Sequence, residues 1–374
     1  MHVAIDARLA HYTSGGITHY TLNLARALAE IAPEDRFTLL RSVKQRGESK
    51  RGLPRARNLR STPLLTPPHH PLEQLSLPLE LLRVRADVLH CPDFIPPFRR
   101  TCPAVVTVHD VAFLRYPETL TAESRRYYGQ VRCAVESAER TIVVSQATAA
   151  DLAELLGAPM ERVRIVHNGL DPAFRRPAVP SETARVRARW GLDRPYVMFL
   201  GTLEPRKDVP TLLRAFAAVR AEHPDLLLAL VGRRGWLYEP ILAEMERLGL
   251  VEAVRRVEDA GDADLPPLFD GALAFAFPSL YEGFGLPALE ALARGTPTVV
   301  ADTSSLPEVV GEAALRFPPR DHEALAACLL RLLEDEALRA DLRARGPVQA
   351  ASFTWERAAH ETLAIYHEVR AERR

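Results

Sequence analysis

Two glutamates eight positions apart, Glu282 and Glu290, bracket most of the stretch YEGFGLPALEA at 281–291. Between them stand Gly283, Gly285 and Pro287. Proline suits the first turn of a helix, where its missing N–H would find no partner anyway. A helix is therefore expected from Pro287 to a stop at Gly295. The loop Glu282-Gly283-Phe284-Gly285-Leu286 then lies at a helix mouth. Its glycines let backbone N–H groups approach a ligand, and the helix dipole adds positive potential. The guest that fits is a phosphate or diphosphate. Carboxylates cannot bind such a guest, but they can accept hydrogen bonds from hydroxyls attached on either side of it. Glu290, three residues after Pro287 on the same stripe, is within reach of a ribose diol. Glu282 is within reach of hydroxyls on a second sugar. A diphosphate flanked by two polyols is a nucleotide-sugar. The competing reading is that Glu290 complements the helix dipole and Glu282 is a solvated loop acid.

Positioning such a site takes a sheet whose strand ends carry loops. The first half alternates apolar runs with amphipathic stretches: strands are expected at 3–6, 37–40, 87–90, 104–109 and 141–145, and helices at 121–138 and 146–156. VHNGLDPAF (166–174) reads as a domain boundary. The pattern then restarts with YVMFLG, LLLALVG, ALAFAFP and PTVVAD, each followed by a helical stretch. This alternation predicts two α/β domains with parallel sheets covered on both faces. WERAAHETLAIYHEVRAERR predicts a long terminal helix.

Size and composition agree with that layout. A chain of 374 residues suits two domains, and 47% hydrophobic with 26% charged residues is an ordinary globular balance. Lys+Arg and Asp+Glu are both 48, so no global charge points to nucleic acid. No apolar run is long enough to span a membrane, and HVAID reads as a strand, not a signal peptide. Four scattered cysteines without a CxxC pair predict reduced thiols in a cytoplasmic protein and no metal site. Lysine occurs only at 44, 50 and 207. The stretch 41–60 is rich in bases, and reads either as a solvated loop or as a basic lip for an anionic lipid or acceptor.

The segment SLYEGFGLPALEALARGTPTVVAD resembles the E-x7-E signature of retaining glycosyltransferases of the GT-B fold, specifically glycosyltransferase family 4. The likeness is an ordered series over almost the whole chain. Gly15-Gly16-Ile17 is similar to the N-terminal glycine loop, and VTVHDVAFLRYPE to the catalytic-histidine segment. VSQATAADL and HNGLDP resemble the landmarks closing the first domain, and GTLEPRKD (201–208) the phosphate-binding loop opening the second.

The resemblance implies a role for each matching residue. Arg206 and Lys207 match the basic pair that holds the donor diphosphate, stabilising charge on the leaving group without a metal. Many members carry Arg directly after the loop glycine Gly201; here it is Thr202, and Arg206 is taken to supply the guanidinium. His109 matches the histidine that contacts the donor sugar near the reacting carbon, with Asp110 orienting it or contacting the acceptor. A neutral histidine bonded to backbone is the alternative at that position. Gly15 and Gly16 fall near the diphosphate or acceptor phosphate. Glu282 and Glu290 become sugar and ribose contacts, Gly283 to Leu286 the N–H donors, and the loop at Arg256 to Glu258, with Val257, the base contact. The implied domains are 1–170 on the acceptor side, 171–350 binding nucleotide-sugar, and 351–374 as a helix returning to the first, with the two Rossmann-like domains facing a cleft.

The reaction implied is retaining transfer of a hexose from a nucleotide-sugar to a glycan, a lipid-linked acceptor or a small alcohol, with no cofactor and no nucleic-acid partner. GDP-mannose is the expected donor, a UDP-sugar (glucose or N-acetylglucosamine) the alternative. Peripheral contact with the inner membrane face is a further expectation. A nucleotide-sugar epimerase and a non-catalytic binding subunit share the architecture. A PLP-dependent phosphorylase does too, but needs a Schiff-base lysine: Lys44 and Lys50 lie in the basic loop and Lys207 fits the phosphate role.

Overall fold

The computed structural model describes residues 1–11, 15–44, 54–116 and 126–372. Contacts divide the chain into two compact units, Met1–Gly169 with Phe353–Arg374, and Leu170–Ser352.

Among the described residues, seven strands form the sheet of the first unit. They are β1 (His2–Asp6), β2 (Arg36–Ser42), β3 (Leu59–Leu64), β4 (Val88–Cys91), β5 (Ala104–Val108), β6 (Arg140–Val143) and β7 (Val163–Ile165). Their order is β3-β2-β1-β4-β5-β6-β7, and every pairing is parallel. β4, β5 and β6 are buried at every position. Both faces of a parallel sheet are covered, so these strands read as continuous apolar runs without alternation. The edge strand β3, LRSTPL, holds Pro63 and three exposed positions. It falls partly in the stretch read as a solvated loop, and proline is tolerated there because an edge needs fewer ladder donors. Residues 45–53 of the basic stretch, and 117–125 around the start of the expected 121–138 helix, lie outside the described residues; Val131–Ser137 is helical. The expected 146–156 helix is α-helical over Gln146–Asp151 and widens to a π-turn over Leu152–Leu156.

The C-terminal helix, Trp355–Glu372, packs on the helix Gly16–Ile31. Tyr366 of that helix bonds His90 Nδ1 at 2.6 Å, and Glu368 accepts from Arg140 and Arg164, each at 2.7 Å. A Cβ on Gly169 would collide with the Trp355 backbone, so this close approach requires glycine.

The second unit has the six-stranded parallel order β10-β9-β8-β11-β12-β13. Its strands are β8 (Tyr196–Leu200), β9 (Leu227–Val231), β10 (Val254–Val257), β11 (Ala274–Phe277), β12 (Thr298–Ala301) and β13 (Leu315–Phe317). Each sheet reverses its winding once, between β1 and β4 in the first and between β8 and β11 in the second. Ligands of open α/β sheets bind outside the carboxyl ends of strands at such a reversal.

Candidate active site

In the second unit, β8 ends at Leu200 and releases the chain into Gly201-Thr202-Leu203-Glu204. A short 3-10 turn, Pro205–Lys207, follows, then the helix Val209–Glu222. Asp208 joins turn to helix with a left-handed φ of 48°. The loop after β9 crosses this segment closely. At Gly232 (φ 136°) a Cβ would enter the Gly201 carbonyl, and at Gly235 it would stand 2.8 Å from the Leu203 carbonyl. β11 lies beside β8, with Phe275 opposite Met198. Its carboxyl end therefore delivers Ser279, Tyr281 and Glu282 next to the β8 loop, although some 75 residues separate Lys207 from Glu282 in the chain.

There the side chains close into one network. Lys207 Nζ pairs with Glu282 Oε1 and lies 5.2 Å from the centre of the Phe277 ring. Arg206 Nη1 donates to Glu282 Oε2 at 3.3 Å and to the Tyr281 carbonyl at 2.7 Å. Its Nε and Nη2 reach Glu204 Oε1 at 3.1 and 2.8 Å. Ser279 Oγ donates to Glu282 Oε1 at 2.6 Å. The Glu282 backbone is held as well: its N–H donates to Ser304 Oγ at 3.1 Å, and Ser305 Oγ donates to its carbonyl at 3.0 Å. Glu204, Lys207, Ser279 and Glu282 are all buried.

Two cations and two carboxylates balance, which is what permits their burial. Burial pushes the Glu282 carboxyl up, but Lys207 and Arg206 outweigh it and hold the group below its ordinary value. The Lys207 ammonium is drawn down by burial and by Arg206, against the pull of Glu282. Sequence alone keeps Glu282 apart from the basic pair, giving it a sugar and them a phosphate. The structure brings all three together.

Glu290 is half-buried on the helix Leu286–Ala293. That helix begins one residue earlier than expected, with Pro287 second, and Gly295 follows it at φ 66°. Gly285 precedes it at φ 97°, and a Cβ there would stand 2.7 Å from Leu306 Cδ2. Phe284 is buried, Leu286 half-buried and Thr202 exposed. Of the loop expected at Arg256 to Glu258, Arg256 and Val257 are instead the end of β10, with Val257 wholly buried and its carbonyl accepting from the Gly232 N–H at 2.9 Å, while Glu258 opens the turn that follows. Sequence reasoning missed Glu204, Ser279, Ser304 and Ser305. For Glu204 and Ser279 a signal existed: an acid two residues before Arg206, and a serine at a strand end three before Glu282.

In the first unit, His109 and Asp110 follow β5 directly. Asp110 Oδ1 accepts from the Ala112 N–H at 2.9 Å, starting the short helix Ala112–Arg115. His109 bonds the Pro92 carbonyl, while its Nε2 has no partner among the described residues. The bond to a carbonyl must be donated from Nδ1–H, which leaves Nε2 as a bare acceptor. Burial lowers the His109 pKa against the opposing pull of Asp110 and Asp93, so the ring is neutral at pH 7. The backbone-bonded form and an available acceptor thus coexist in one ring. The Tyr20 ring stands edge-on to it, centroids 4.7 Å apart. Gly15 caps the helix Gly16–Ile31; at neither Gly15 nor Gly16 would a Cβ meet an atom of the described residues within 4 Å.

Known proteins place these features. The family model for glycosyl transferases group 1 matches residues 180–349, and that for glycosyltransferase family 4 matches 14–174. O-antigen chain mannosyltransferase B of Escherichia coli is 31% identical, over 95% of this chain and 96% of that protein. The chain belongs to the group 1, family 4 glycosyltransferases. A second relative of this glycosyltransferase, the D-inositol 3-phosphate glycosyltransferase of Salinispora arenicola, is also 31% identical, over 95% of this chain and 87% of its own. Sucrose-phosphate synthase from Thermosynechococcus elongatus aligns over the full length of both chains with TM-score 0.80 at 22% identity. The fold is GT-B.

Proposed function

We propose that this glycosyltransferase moves mannose from GDP-mannose to a hydroxyl of a glycan or lipid-linked acceptor, with retention at the anomeric carbon and without a metal or other cofactor. The observation that carries the reading is the Lys207–Glu282–Arg206 network at the β8/β11 reversal. Two fixed cations stand where a phosphate would sit, each already held by carboxylate. An arriving diphosphate takes over the cations and releases the Glu282 oxygens toward hydroxyls of the sugar. As the bond from anomeric carbon to phosphate oxygen breaks, charge grows on the leaving diphosphate and the cations stabilise it. The acceptor oxygen bonds to the carbon from the same face, and its proton passes to the leaving phosphate oxygen. No protein base is required. His109 Nε2 accepts from a donor-sugar hydroxyl, Asp110 orients the ring or contacts the acceptor, Glu290 accepts from ribose, and the backbone at Gly15, Gly16 and Gly283 to Leu286 lies against phosphate.

Mannose is favoured by the relative named a mannosyltransferase that matches almost end to end. Four free cysteines suit a reducing, cytoplasmic setting. Calorimetric titration with GDP and, separately, UDP tests the donor. GDP should bind far more tightly; tight binding of UDP alone would reassign the donor, and binding of neither at millimolar concentration would defeat the nucleotide-sugar reading. Proton NMR of the first-formed product, showing the donor's anomeric configuration, tests retention.

A further inference from the structure

Thr107 lies on β5 and His109 just after it, two positions on, which in extended backbone turns both side chains to one face of the sheet. The helix Gly16–Ile31 and the terminal helix Trp355–Glu372 pack on each other over this face. Tyr20, one turn into the first of these helices and only 1% exposed, touches both side chains. Its ring stands at 83° to the His109 imidazole with centroids 4.7 Å apart, and its hydroxyl bonds Thr107 Oγ1.

The terminal helix grips Tyr20 in two ways. Trp355, its first residue, lies against the Tyr20 ring, with centroids 5.8 Å apart and planes at 70°. Tyr366, about three turns further on, ties off the hydroxyl. Tyr20 bonds Thr107, Thr107 bonds His90 and His90 bonds Tyr366, and all four side chains are buried. Thr107 has one hydroxyl proton and two partners here, so the links run in one direction along the whole chain, whichever end starts it. Burial pushes both phenols above their ordinary values, so Tyr20 and Tyr366 keep their protons at neutral pH.

His109 gains from such a clamp. Its bond from Nδ1–H to the Pro92 carbonyl fixes one edge of the ring, and Nε2 has no partner among the described residues. The torsion that turns an imidazole about its bond to Cβ is broad, so a ring pinned at one atom can still rock. A perpendicular aromatic ring packed against it opposes that motion. A group that acts on a substrate must be held to within about 0.5 Å, and what packs behind it sets that precision.

We propose that Tyr20 is a positioning residue for His109: clamped by Trp355 and by the Thr107–His90–Tyr366 chain, it keeps the imidazole in the one orientation that presents Nε2 to the donor sugar. The terminal helix is thereby part of the support of the site, although 276 residues separate Tyr366 from His90. The effect on turnover rests on the proposed contact of His109 with the donor; the clamping of the ring does not.

Imidazole nitrogen shifts, read by NMR of histidine-labelled protein, test the clamp, with His109→Ala identifying the His109 signals. Wild type should show a single tautomer, Nδ1 protonated and Nε2 bare. Tyr20→Phe, which keeps the ring and loses the hydroxyl, should move these shifts part of the way toward a tautomer mixture, and Tyr20→Leu further. Release of GDP from GDP-mannose into water should fall about threefold in Tyr20→Phe and about thirtyfold in Tyr20→Leu, less than the roughly hundredfold that a 1 Å misplacement can cost. Neither loss should recur in a His109→Ala background, because Tyr20 acts through His109. Unchanged His109 shifts in a folded Tyr20→Phe protein would overturn the proposal. Losses that recur undiminished without the histidine would overturn it too, since a merely structural role predicts them. Full turnover by His109→Ala, with the shifts moving as expected, would sustain the clamp and defeat the reading of His109 instead.

Discussion

Ser279 Oγ donates at 2.6 Å to Glu282 Oε1, the same oxygen that Lys207 Nζ holds. One carboxylate oxygen thus serves a hydroxyl and an ammonium, while the other oxygen faces Arg206. Three donors, from Ser279, Lys207 and Arg206, hold the two oxygens of this one carboxylate. On the proposed reading, a diphosphate that draws the two cations to itself frees these oxygens, so that rearrangement accompanies donor binding and not the chemical step.

Removing one member of this buried set strands the others. Lys207→Ala should lower stability by about 3 kcal/mol, the usual cost of breaking a buried pair. It should lower turnover by about 100- to 1000-fold, as loss of one transition-state donor does. Ser279→Ala leaves the charges paired and should cost only about 1 kcal/mol. Urea denaturation alongside a transfer assay separates the effects; equal losses for both variants would contradict the assignment of Lys207 to the leaving group.

A second buried chain of hydrogen bonds supports the His109 side of the first unit. Tyr20 meets the Thr107 hydroxyl at 3.0 Å, Thr107 meets His90 Nε2 at 2.8 Å, and His90 Nδ1 meets Tyr366. Burial, helped by His109, depresses the His90 pKa from 6.5 to about 3. The folded state therefore keeps His90 neutral where the unfolded chain would protonate it. The stability this gives is complete above 6.5 and is lost as pH falls toward 3, with a slope approaching about 1.4 kcal/mol per pH unit. His90→Gln should remove that part of the slope between pH 6.5 and 4.5, read from urea midpoints at each pH. An unchanged slope would mean that His90 is already charged in the folded protein.

Much of this arrangement is legible from residue order. β8, β9 and β11 are apolar runs because both faces of the sheet are covered, and such runs between amphipathic stretches can hardly be read otherwise. Lys207 and Glu282 stand out by type and by their glycine-bearing loops. Their mutual pairing does not, because only the adjacency of β8 and β11 brings them together. β10, sequence VRRV, carries two arginines at its partly exposed centre and so passes for a loop. The helix Glu73–Leu81 contains Pro78 and shows leucines on opposite faces, which blurs the one-sided periodicity by which a surface helix is recognised.

Glycines divide by what surrounds them, and this separates fold from function. At Gly232 the left-handed φ and the Gly201 carbonyl leave no room for a side chain, so Gly232→Ala should destabilise the second unit by several kcal/mol, about 3 or more. Gly16 is different. It starts a helix with ordinary backbone, and a Cβ there meets none of the described residues. Gly16→Ala should leave melting unchanged or raise stability by about 0.5–1 kcal/mol. If the helix mouth receives phosphate, the same methyl should obstruct the ligand and weaken its binding or turnover about tenfold, because backbone N–H groups serve a phosphate only at close approach. Calorimetric melting paired with transfer kinetics on both variants distinguishes the two cases. Full activity in a well-folded Gly16→Ala protein would remove this backbone from the ligand site.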